Sequence, residues 1–344
     1  MKDIIVIVGP TGIGKTKLSI ELAKKLDAEI INGDSVSIYR RLNIGSAKPT
    51  KEEQSGIPHH LIDIKDVDED YTVFDYQKDV RKKIEEITSR GKQIIIVGGT
   101  GLYIKAALYD YRFTEGTTYN EYADLSNEEI LSRIKEYKIE NLPELNNRKR
   151  LVRLLNKLEN NEEITNDKDK LLYNIKVIGL TIDRETLYKR INKRVDIMME
   201  NGLLDEIKSL KDDYKKSRIL NSGIGYKEFY DYLYSNKPLE EVIEEIKKNS
   251  RHFAKRQYTF FNHQFNTKWF EVDLNNFNNT IEETLKYINE WNLFFNKFLF
   301  CPNIIISYIR HNKYILYQTI ILIYNMLIDF IQVIRGIYER IKFW

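Results

Sequence analysis

The amino-acid sequence predicts an α/β fold in which a parallel sheet is flanked by helices. The first observation is a short β-branched apolar run at 4–8, which is typical of a strand buried on both faces of a parallel sheet. The second is the alternation of such runs with amphipathic segments of helical spacing. The third is a glycine-rich turn after each of three runs, at 9–16, 33–35 and 98–101. Such turns meet at the carboxyl edge of a parallel sheet, so we expect a functional site there.

The composition is that of a globular protein: the chain has 344 residues, of which 42% are hydrophobic and 31% charged. These values exclude a disordered polymer, a collagen-like repeat and a disulfide scaffold, and the length favours two domains. The single cysteine, Cys301, cannot form a disulfide within the chain, which predicts a reducing, cytoplasmic setting. The formal net charge is only +3, so total charge alone does not indicate a nucleic-acid-binding protein.

The predicted core combines short apolar runs, interpreted as strands, with segments whose apolar residues recur at helical spacing. Strands are predicted at 4–8, 29–32, 93–97, 176–182 and 269–272. Helices are predicted at 15–26, 73–90, 184–199, 202–214, 239–261 and 281–295. The residues between the second strand and Asp70 are interpreted as a polar stretch.

Two segments differ from this core. Residues 113–169 have polar helical character without a strand signal, so we interpret them as an all-helical insertion. Residues 300–344 form an apolar tail, in which polar residues interrupt the longest run. That interruption favours a docking or interfacial helix over a membrane span. The predicted domains are a core of 1–112 and 170–299, the insertion, and a tail of open role.

A phosphate-binding loop follows the first strand. The residues Gly9, Pro10, Thr11, Gly12, Ile13, Gly14, Lys15 and Thr16 match G-x-x-x-x-G-K-[ST] without a gap. The backbone N–H groups of such a loop form an anion-binding nest at a helix N-terminus. Lys15 neutralises phosphate charge, and the Thr16 hydroxyl suits a Mg²⁺ ion that bridges two phosphates. The pattern therefore predicts a sheet of the P-loop NTPase type that binds a di- or triphosphate with Mg²⁺.

The loop alone does not identify the reaction. A nucleoside triphosphatase carries an acidic residue at the end of a strand, whereas the strand at 93–97 ends in Gly98-Gly99-Thr100. The acid comes instead at Asp34, after the second strand. A bound diphosphate repels a carboxylate, so Asp34 is predicted to accept a proton or a hydrogen bond from a second substrate. The structural alternative is a helix N-cap formed with Ser35.

Further motifs keep the same order along the chain and resemble those of the bacterial tRNA dimethylallyltransferase family. Besides the phosphate loop they are Asp34–Tyr39 (DSVSIY), Ile44–Pro49 (IGSAKP), His59–Asp63 (HHLID), Val97–Tyr103 (VGGTGLY), Arg194–Met199 (RVDIMM), Gly202-Leu203, Gly225–Glu228 (GYKE) and Ala254–Phe261 (AKRQYTFF). The resemblance covers about residues 3–295. This family prenylates the adenosine just 3′ of the anticodon.

The resemblance implies a prenyl transfer to tRNA. The phosphate loop would hold dimethylallyl diphosphate, and the exocyclic amine of a flipped adenine would attack the allylic carbon as pyrophosphate leaves. In this pattern Asp34 accepts the amine proton, and Thr100 and Arg194 are catalytic residues beside it. Lys15, Arg194 and a Mg²⁺ ion on Thr16 would stabilise the charge that grows on the pyrophosphate.

Three groups of residues are expected to contact tRNA at its anticodon stem-loop. They are Asp34, Ser35, Val36 and Ser37; Lys149, Arg150, Leu151, Val152 and Arg153; and Lys255, Arg256 and Gln257. The second and third groups belong to basic clusters at 148–157 and 247–256. A charge cluster is more often a solvated helix face, and that is the structural alternative for both.

The chain departs from the family pattern at two residues. Ser37 stands where the family usually has Gln, which removes one base-reading hydrogen bond, and Phe260 stands where Trp is usual, which removes an N–H donor. The insertion is also short for the family, which predicts a reduced grip on the anticodon stem.

The sequence favours one function over two others. The favoured function transfers a dimethylallyl group to tRNAs that read U-initial codons, by a cytoplasmic monomer without an obligate protein partner. The alternatives are a P-loop small-molecule kinase that uses ATP and a non-catalytic RNA-binding module. The basic clusters and the AKRQ motif argue against a kinase. Lys15, Thr16 and Asp34 argue against a module without catalysis.

Overall fold

The structure is a computed structural model that describes residues 3–300, except 112, 114–121, 140–141, 143 and 161–169. Side chains are described as far as residue 289. The predicted tail lies outside these residues, apart from its first position. The chain divides into two compact units, Met1–Ile281 and Glu282–Trp344. The predicted division into a core, an insertion and a tail stays a prediction.

A six-stranded parallel sheet forms the centre of the described fold. Its strands are β1 (Ile4–Val8), β2 (Ala28–Asn32), β3 (His59–His60), β4 (Gln93–Val97), β5 (Ile175–Thr181) and β6 (Thr267–Glu271). Their order across the sheet is β3-β2-β4-β1-β5-β6. Helices cover the sheet, so the predicted α/β class is confirmed.

Helices connect and follow the strands. They are α1 (Lys15–Leu26), α2 (Lys51–Gln54), α3 (Val73–Ser89), α4 (Gly101–Leu108), α5 (Asn127–Glu136), α6 (Arg148–Glu159), α7 (Arg184–Glu200), α8 (Leu203–Ser209), α9 (Tyr230–Tyr234), α10 (Leu239–Gln264) and α11 (Phe277–Phe300). Within the described ranges, none of them combines the length and apolar composition that crossing a membrane requires.

Burial explains why β1 lies inside the sheet. All five of its residues are buried, and Ile7 pairs with Val97 of β4 on one side and with Ile178 of β5 on the other. A strand that is apolar at every position suits a place between two strands with helices on both faces. The run at 4–8 therefore predicted both the element and its interior place.

The strand β3 was not predicted, because its residues were interpreted as part of a polar stretch. It consists of two half-buried histidines, which pair with Ile30 and Ile31 of β2 at the edge of the sheet. A polar strand of two residues has no hydrophobic periodicity, so pattern analysis cannot find it.

The helix predicted at 202–214 is also wrong in its second half. The α-helix ends at Ser209, and a 3₁₀-helix follows at Lys211–Lys215. This tighter turn buries Tyr214, whose hydroxyl donates a hydrogen bond to the carbonyl of Tyr226 at 2.9 Å. Tertiary packing of one tyrosine therefore overrides the helical pattern.

The helices α5 and α6 have an apolar cluster of their own, which includes Ile130, Ile134, Leu151, Val152 and Leu155. Arg148 ties the start of α6 to the residues before α5. Its guanidinium donates hydrogen bonds to the carbonyls of Tyr122 and Leu125 and to the side chain of Asn127. Both helices lie in the segment 113–169.

Two glycines bring the loops after β2 and β4 into contact at the carboxyl edge of the sheet. A Cβ atom on Gly98 would lie 2.1 Å from the carbonyl carbon of Gly33, a distance that no side chain tolerates. The amide of Gly33 donates to the carbonyl of Val97 at 2.7 Å, and that of Thr100 donates to the carbonyl of Gly33 at 3.0 Å. The absence of both side chains lets the loop after β2 contact Thr100, whose hydroxyl accepts the amide of Ser35.

Candidate active site

The phosphate loop joins β1 to α1 and borders a cavity of about 600 Å³. Gly12 and Gly14 have φ values of 78° and 113°, which favour glycine over residues with a side chain. Of the eight predicted residues, the last six line the cavity, from Thr11 to Thr16. Gly9 and Pro10 are buried behind them. The loop therefore has the form that an anion at the N-terminus of α1 requires.

Lys15 folds back onto its own loop. Its Nζ donates hydrogen bonds to the carbonyls of Gly9 and Pro10, at 3.0 and 2.8 Å. Burial and the neighbouring cation of Arg194 lower the pKa of Lys15 to about 7, while Asp34 acts in the opposite direction. A bound diphosphate would favour the charged amine, so anion binding and protonation of Lys15 are coupled.

Thr11 connects the phosphate loop to two helices by hydrogen bonds. Its hydroxyl accepts a hydrogen bond from Nη1 of Arg194 on α7 at 2.8 Å, and its amide donates to Oε1 of Gln257 on α10 at 3.0 Å. Next along the loop, Nε of Arg190 donates to the carbonyl of Gly12 at 3.0 Å. Burial lowers the pKa of Arg194, but a guanidinium remains charged at neutral pH.

Asp34 lies in a turn rather than at the start of a helix. Its Oδ1 accepts the amide of Val36 at 3.0 Å, and its own amide donates to Oδ1 of the buried Asn32 at 3.0 Å. Turns follow at 35–41, a stretch that the structure describes throughout. The interpretation of Asp34 as a helix N-cap is therefore wrong.

A second cavity of about 260 Å³ shares part of its wall with the first. The residues that line both are Thr11, Asp34, Ser46, Arg194 and Phe253. The carboxylate of Asp34 and the guanidinium of Arg194 therefore lie where the two cavities adjoin. A base and a cation at such a place suit a reaction between two substrates that occupy different cavities.

Thr100 lines the second cavity and fixes the loop after β2. Its hydroxyl oxygen accepts the amide of Ser35 at 3.0 Å, and the two hydroxyl oxygens are 3.3 Å apart. Of the four residues predicted at 34–37, Ser35 and Val36 also line the second cavity. Ser37 is buried and lines the first. The structure thus divides this predicted group between the two cavities.

The predicted group on α6 divides into exposed and buried residues. Lys149, Arg150 and Arg153 are exposed, whereas Leu151 and Val152 lie in the apolar cluster with α5. The two buried side chains hold the helix in place, and the three basic ones are available to a partner. The spacing of the five residues alone did not separate these roles.

The predicted group on α10 divides in the same way. Lys255 and Arg256 are exposed, whereas Gln257 is buried. Besides its bond to Thr11, Gln257 donates from Nε2 to the carbonyl of Gly99 at 3.0 Å. A Cβ atom on Gly99 would lie only 2.1 Å from that nitrogen. Gln257 therefore joins the phosphate loop to the loop after β4.

Two other members of the basic cluster at 247–256 pair with α7. Nζ of Lys247 lies 2.8 Å from Asp196, and Nη1 of Arg251 donates to Asn192 at 2.6 Å. These contacts hold α10 against α7, so the cluster offers fewer available cations than its sequence suggests.

The donor set fits Mg²⁺ only in company with a phosphate. Thr16 is exposed and lines the first cavity, so its hydroxyl is available there. Among the described residues, no group of three or more His, Cys, Asp or Glu side chains could hold a metal by itself. An ion at Thr16 would therefore rely on oxygens of the bound diphosphate.

Sequence reasoning gave no role to four residues at this site, namely Arg190, Phe253, Glu206 and Tyr226. Arg190 and Phe253 line the first cavity, and the other two contact the loop at 43–46. The motif Gly225–Glu228 pointed to Tyr226, but it did not indicate the residues that Tyr226 binds, which are Glu206 and Ser46. Glu206 had no signal of its own.

Comparisons with known proteins agree with this geometry. A sequence model of the family described as IPP transferase matches residues 37–264, more than half of the chain. The tRNA dimethylallyltransferase of Bacillus anthracis is 46% identical over 286 residues, which cover 79% of this chain and 91% of that protein.

Solved structures give the same result. The full-length tRNA isopentenylpyrophosphate transferase of Bacillus halodurans is 40% identical with a TM-score of 0.66, over 84% of this chain and 96% of that chain. A eukaryotic dimethylallyltransferase acting on tRNA is 28% identical with a TM-score of 0.69, over 84% and 80%. The resemblance seen in the motifs is confirmed, and the chain belongs to the IPP transferase family.

Proposed function

We propose that this enzyme transfers a dimethylallyl group from dimethylallyl diphosphate to tRNA, at the exocyclic amine of the adenosine 3′ of the anticodon. The observation that carries the proposal is the position of Asp34 and Arg194 in the wall shared by two cavities. One of these cavities is bordered by the phosphate loop, which suits the donor. The other suits a base that has been turned out of the RNA.

The reaction exchanges one bond at the allylic carbon and moves one proton. The adenine nitrogen attacks the allylic carbon, and the bond between that carbon and the diphosphate oxygen breaks. Pyrophosphate leaves with the bonding electrons, and the proton of the amine passes to Asp34. The hydrogen bonds from the amide of Val36 and to Asn32 hold Asp34 in place for this step.

Positive charge on the donor side stabilises the leaving pyrophosphate. Lys15, Arg194 and the amides at the start of α1 all lie at the first cavity. Their fixed charges and dipoles need little rearrangement as negative charge grows on the diphosphate oxygens. Mg²⁺ bound through Thr16 would supply further positive charge to the diphosphate.

Contact with the anticodon stem-loop is assigned to exposed cations on two helices. Lys149, Arg150 and Arg153 would bind phosphates from α6, and Lys255 and Arg256 from α10. Such contacts position the RNA without reading its sequence. We further propose that the enzyme acts as a monomer in the cytoplasm, where its tRNA substrate is found, and prefers tRNAs that read U-initial codons.

The kinase alternative is not supported. Every relative and solved structure described above carries the name of a tRNA prenyl or isopentenyl transferase. Asp34 also accepts one backbone hydrogen bond within its own turn, from the amide of Val36, and β4 is followed by two glycines rather than by an acid.

A transfer assay tests the proposal. Purified protein, Mg²⁺, labelled dimethylallyl diphosphate and unmodified tRNA should give labelled tRNA and one pyrophosphate per transfer. A tRNA with guanosine in place of the target adenosine is the control and should stay unlabelled. Turnover of ATP without any labelled tRNA would contradict the proposal.

A further inference from the structure

Among the motifs named above that have no role in the mechanism so far, three concern one part of the structure. They are Ile44–Pro49, Gly202-Leu203 and Gly225–Glu228, which are far apart in sequence. In the structure Gly202-Leu203 begins α8, and two residues contact the loop at 43–46, namely Glu206 of α8 and Tyr226 of the turn before α9. We define this loop, Asn43 to Ser46, as the wall loop.

The carboxylate of Glu206 on α8 binds three successive amides of the wall loop. Oε2 accepts the amides of Asn43 and Ile44 at 3.0 and 2.8 Å, and Oε1 accepts that of Gly45 at 3.2 Å. Successive amides that converge on one point form an anion nest, and here the anion is a side chain of the same protein. Charge-assisted hydrogen bonds of this kind are stronger than neutral ones.

Tyr226 completes the arrangement. Its hydroxyl donates to Oε1 of Glu206 at 2.8 Å and accepts the amide of Ser46 at 3.1 Å. Its ring leaves no room for a side chain on Gly45, because a Cβ atom there would lie 2.7 Å from the ring. Burial and the carboxylate of Glu206 raise the pKa of the Tyr226 phenol, so the hydroxyl remains a donor at neutral pH.

The wall loop borders both cavities of the active site. Ser46 lines both of them, Gly45 lines the second, and the next residue, Ala47, lines the first. A shift of this loop would therefore change the separation of the two cavities where Asp34 and Arg194 lie. Misplacement of reactants by about 1 Å can cost about 100-fold in rate.

We propose that Glu206 and Tyr226 are positioning residues for the prenyl transfer, which act by holding the wall loop between the donor and acceptor cavities. This inference rests on the proposed function. Tyr226 is fully buried, and both carboxylate oxygens of Glu206 already accept two hydrogen bonds each. Neither side chain is therefore placed to bind RNA itself.

Two conservative variants and one control test the inference. Glu206→Gln keeps the size of the side chain but loses the charge and half of the acceptor capacity. Tyr226→Phe keeps the ring but leaves the amide of Ser46 without its acceptor. Asp205→Asn is the control, since the exposed Asp205 precedes Glu206 on the same helix and makes the same charge change.

The measurements are kcat, the KM of each substrate, and deuterium exchange of the amides at 43–46. We expect both test variants to lower kcat by about 10- to 100-fold, with each KM within about threefold of the wild-type value. The amides at 43–46 should exchange faster in both, and the control should match the wild type. Glu206→Asp should restore part of kcat, because it retains a carboxylate.

Several results would overturn the inference. A raised KM for tRNA with unchanged kcat would indicate an RNA contact instead. A loss of folded protein with unchanged kcat per folded molecule would indicate a role in stability alone. If the wild type transfers no prenyl group, the proposed function fails, and deuterium exchange still tests whether Glu206 and Tyr226 hold the wall loop. Unchanged exchange of the amides at 43–46 in both test variants would then show that they do not.

Discussion

Gln257 accepts a hydrogen bond from the amide of Thr11 at 3.0 Å and so connects the long helix α10 directly to the phosphate loop. The other end of the same side-chain amide binds the carbonyl of Gly99, next to Thr100. A single buried residue therefore fixes the loop that binds the donor relative to the loop that borders the acceptor cavity. Replacing it should therefore change the placement of both loops and lower the rate of catalysis.

The variant Gln257→Leu tests this connection. It removes both hydrogen bonds and leaves the buried carbonyl of Gly99 unsatisfied, at a cost of about 1–3 kcal/mol, while the half-buried amide of Thr11 loses its partner as well. We expect a lower free energy of unfolding and a lower kcat, measured by denaturant titration and by the transfer assay. Gly99→Ala should reproduce both effects, because its Cβ would displace the same amide. His263→Gln, exposed on the same helix, should change neither. A variant that raised only the KM for tRNA would instead support direct contact with RNA.

Lys15 makes diphosphate binding depend on pH. Without a ligand, burial and the cation of Arg194 lower its pKa to about 7, so part of the protein carries a neutral amine near neutral pH. A bound diphosphate favours the cation and raises that pKa. Binding should therefore take up protons near pH 7.5, and the affinity should fall as the pH rises through and above 7.

Calorimetry in buffers of different ionisation enthalpy measures this proton uptake for a non-reactive analogue of dimethylallyl diphosphate. Lys15→Arg should keep its charge across the range and lose the uptake. Lys25→Met, an exposed change on the same helix, should retain it. Identical uptake in the wild type and in Lys15→Arg would place the coupled group elsewhere.

The two kinds of residue on α6 should respond differently to substitution. Leu151→Ala removes a fully buried side chain from the cluster of α5 and α6 and should destabilise it by about 2–5 kcal/mol. Arg153→Gln removes an exposed cation and should leave the unfolding midpoint unchanged. It should weaken tRNA binding. It should also make the plot of the logarithm of the binding constant against the logarithm of the salt concentration less steep, by about one unit of slope. Unchanged salt dependence would assign Arg153 to a solvated face.

The sequence was most informative where one segment carries its own pattern. The runs at 4–8 and 93–97 match β1 and β4 at both ends, and the loop between β1 and α1 matches a motif of fixed spacing. These elements depend on local burial and local backbone geometry, which hydrophobic pattern and glycine placement report directly. The sequence also placed Asp34 beside the phosphate loop, because both follow strands of a parallel sheet and the carboxyl ends of such strands meet at one edge.

The sequence was least informative where a role depends on a distant partner. Val152 and Arg153 are neighbours in one basic motif, yet one is buried and the other exposed. Gln257 follows two exposed cations, and only the fold brings it to Thr11. Glu206 binds amides more than 160 positions away, as the pairing with Asn43 shows. No local pattern reports such contacts, because tertiary packing decides them.

The central claim is that Asp34 acts as the base while the phosphate loop binds the donor independently of it. Asp34→Asn tests this most directly, since the amide oxygen can still accept the amide of Val36. The decisive measurement is the rate of a single turnover, taken together with the affinity for the donor analogue. Asp68→Asn, an exposed carboxylate, serves as the matched control.

We expect Asp34→Asn to bind the analogue as tightly as the wild type or slightly more tightly, because a charge that repels the diphosphate is gone. Its single-turnover rate should fall by about 100-fold or more, in the range of general base catalysis, and the control should match the wild type. An unchanged rate per bound complex, with affinity lost instead, would contradict the account.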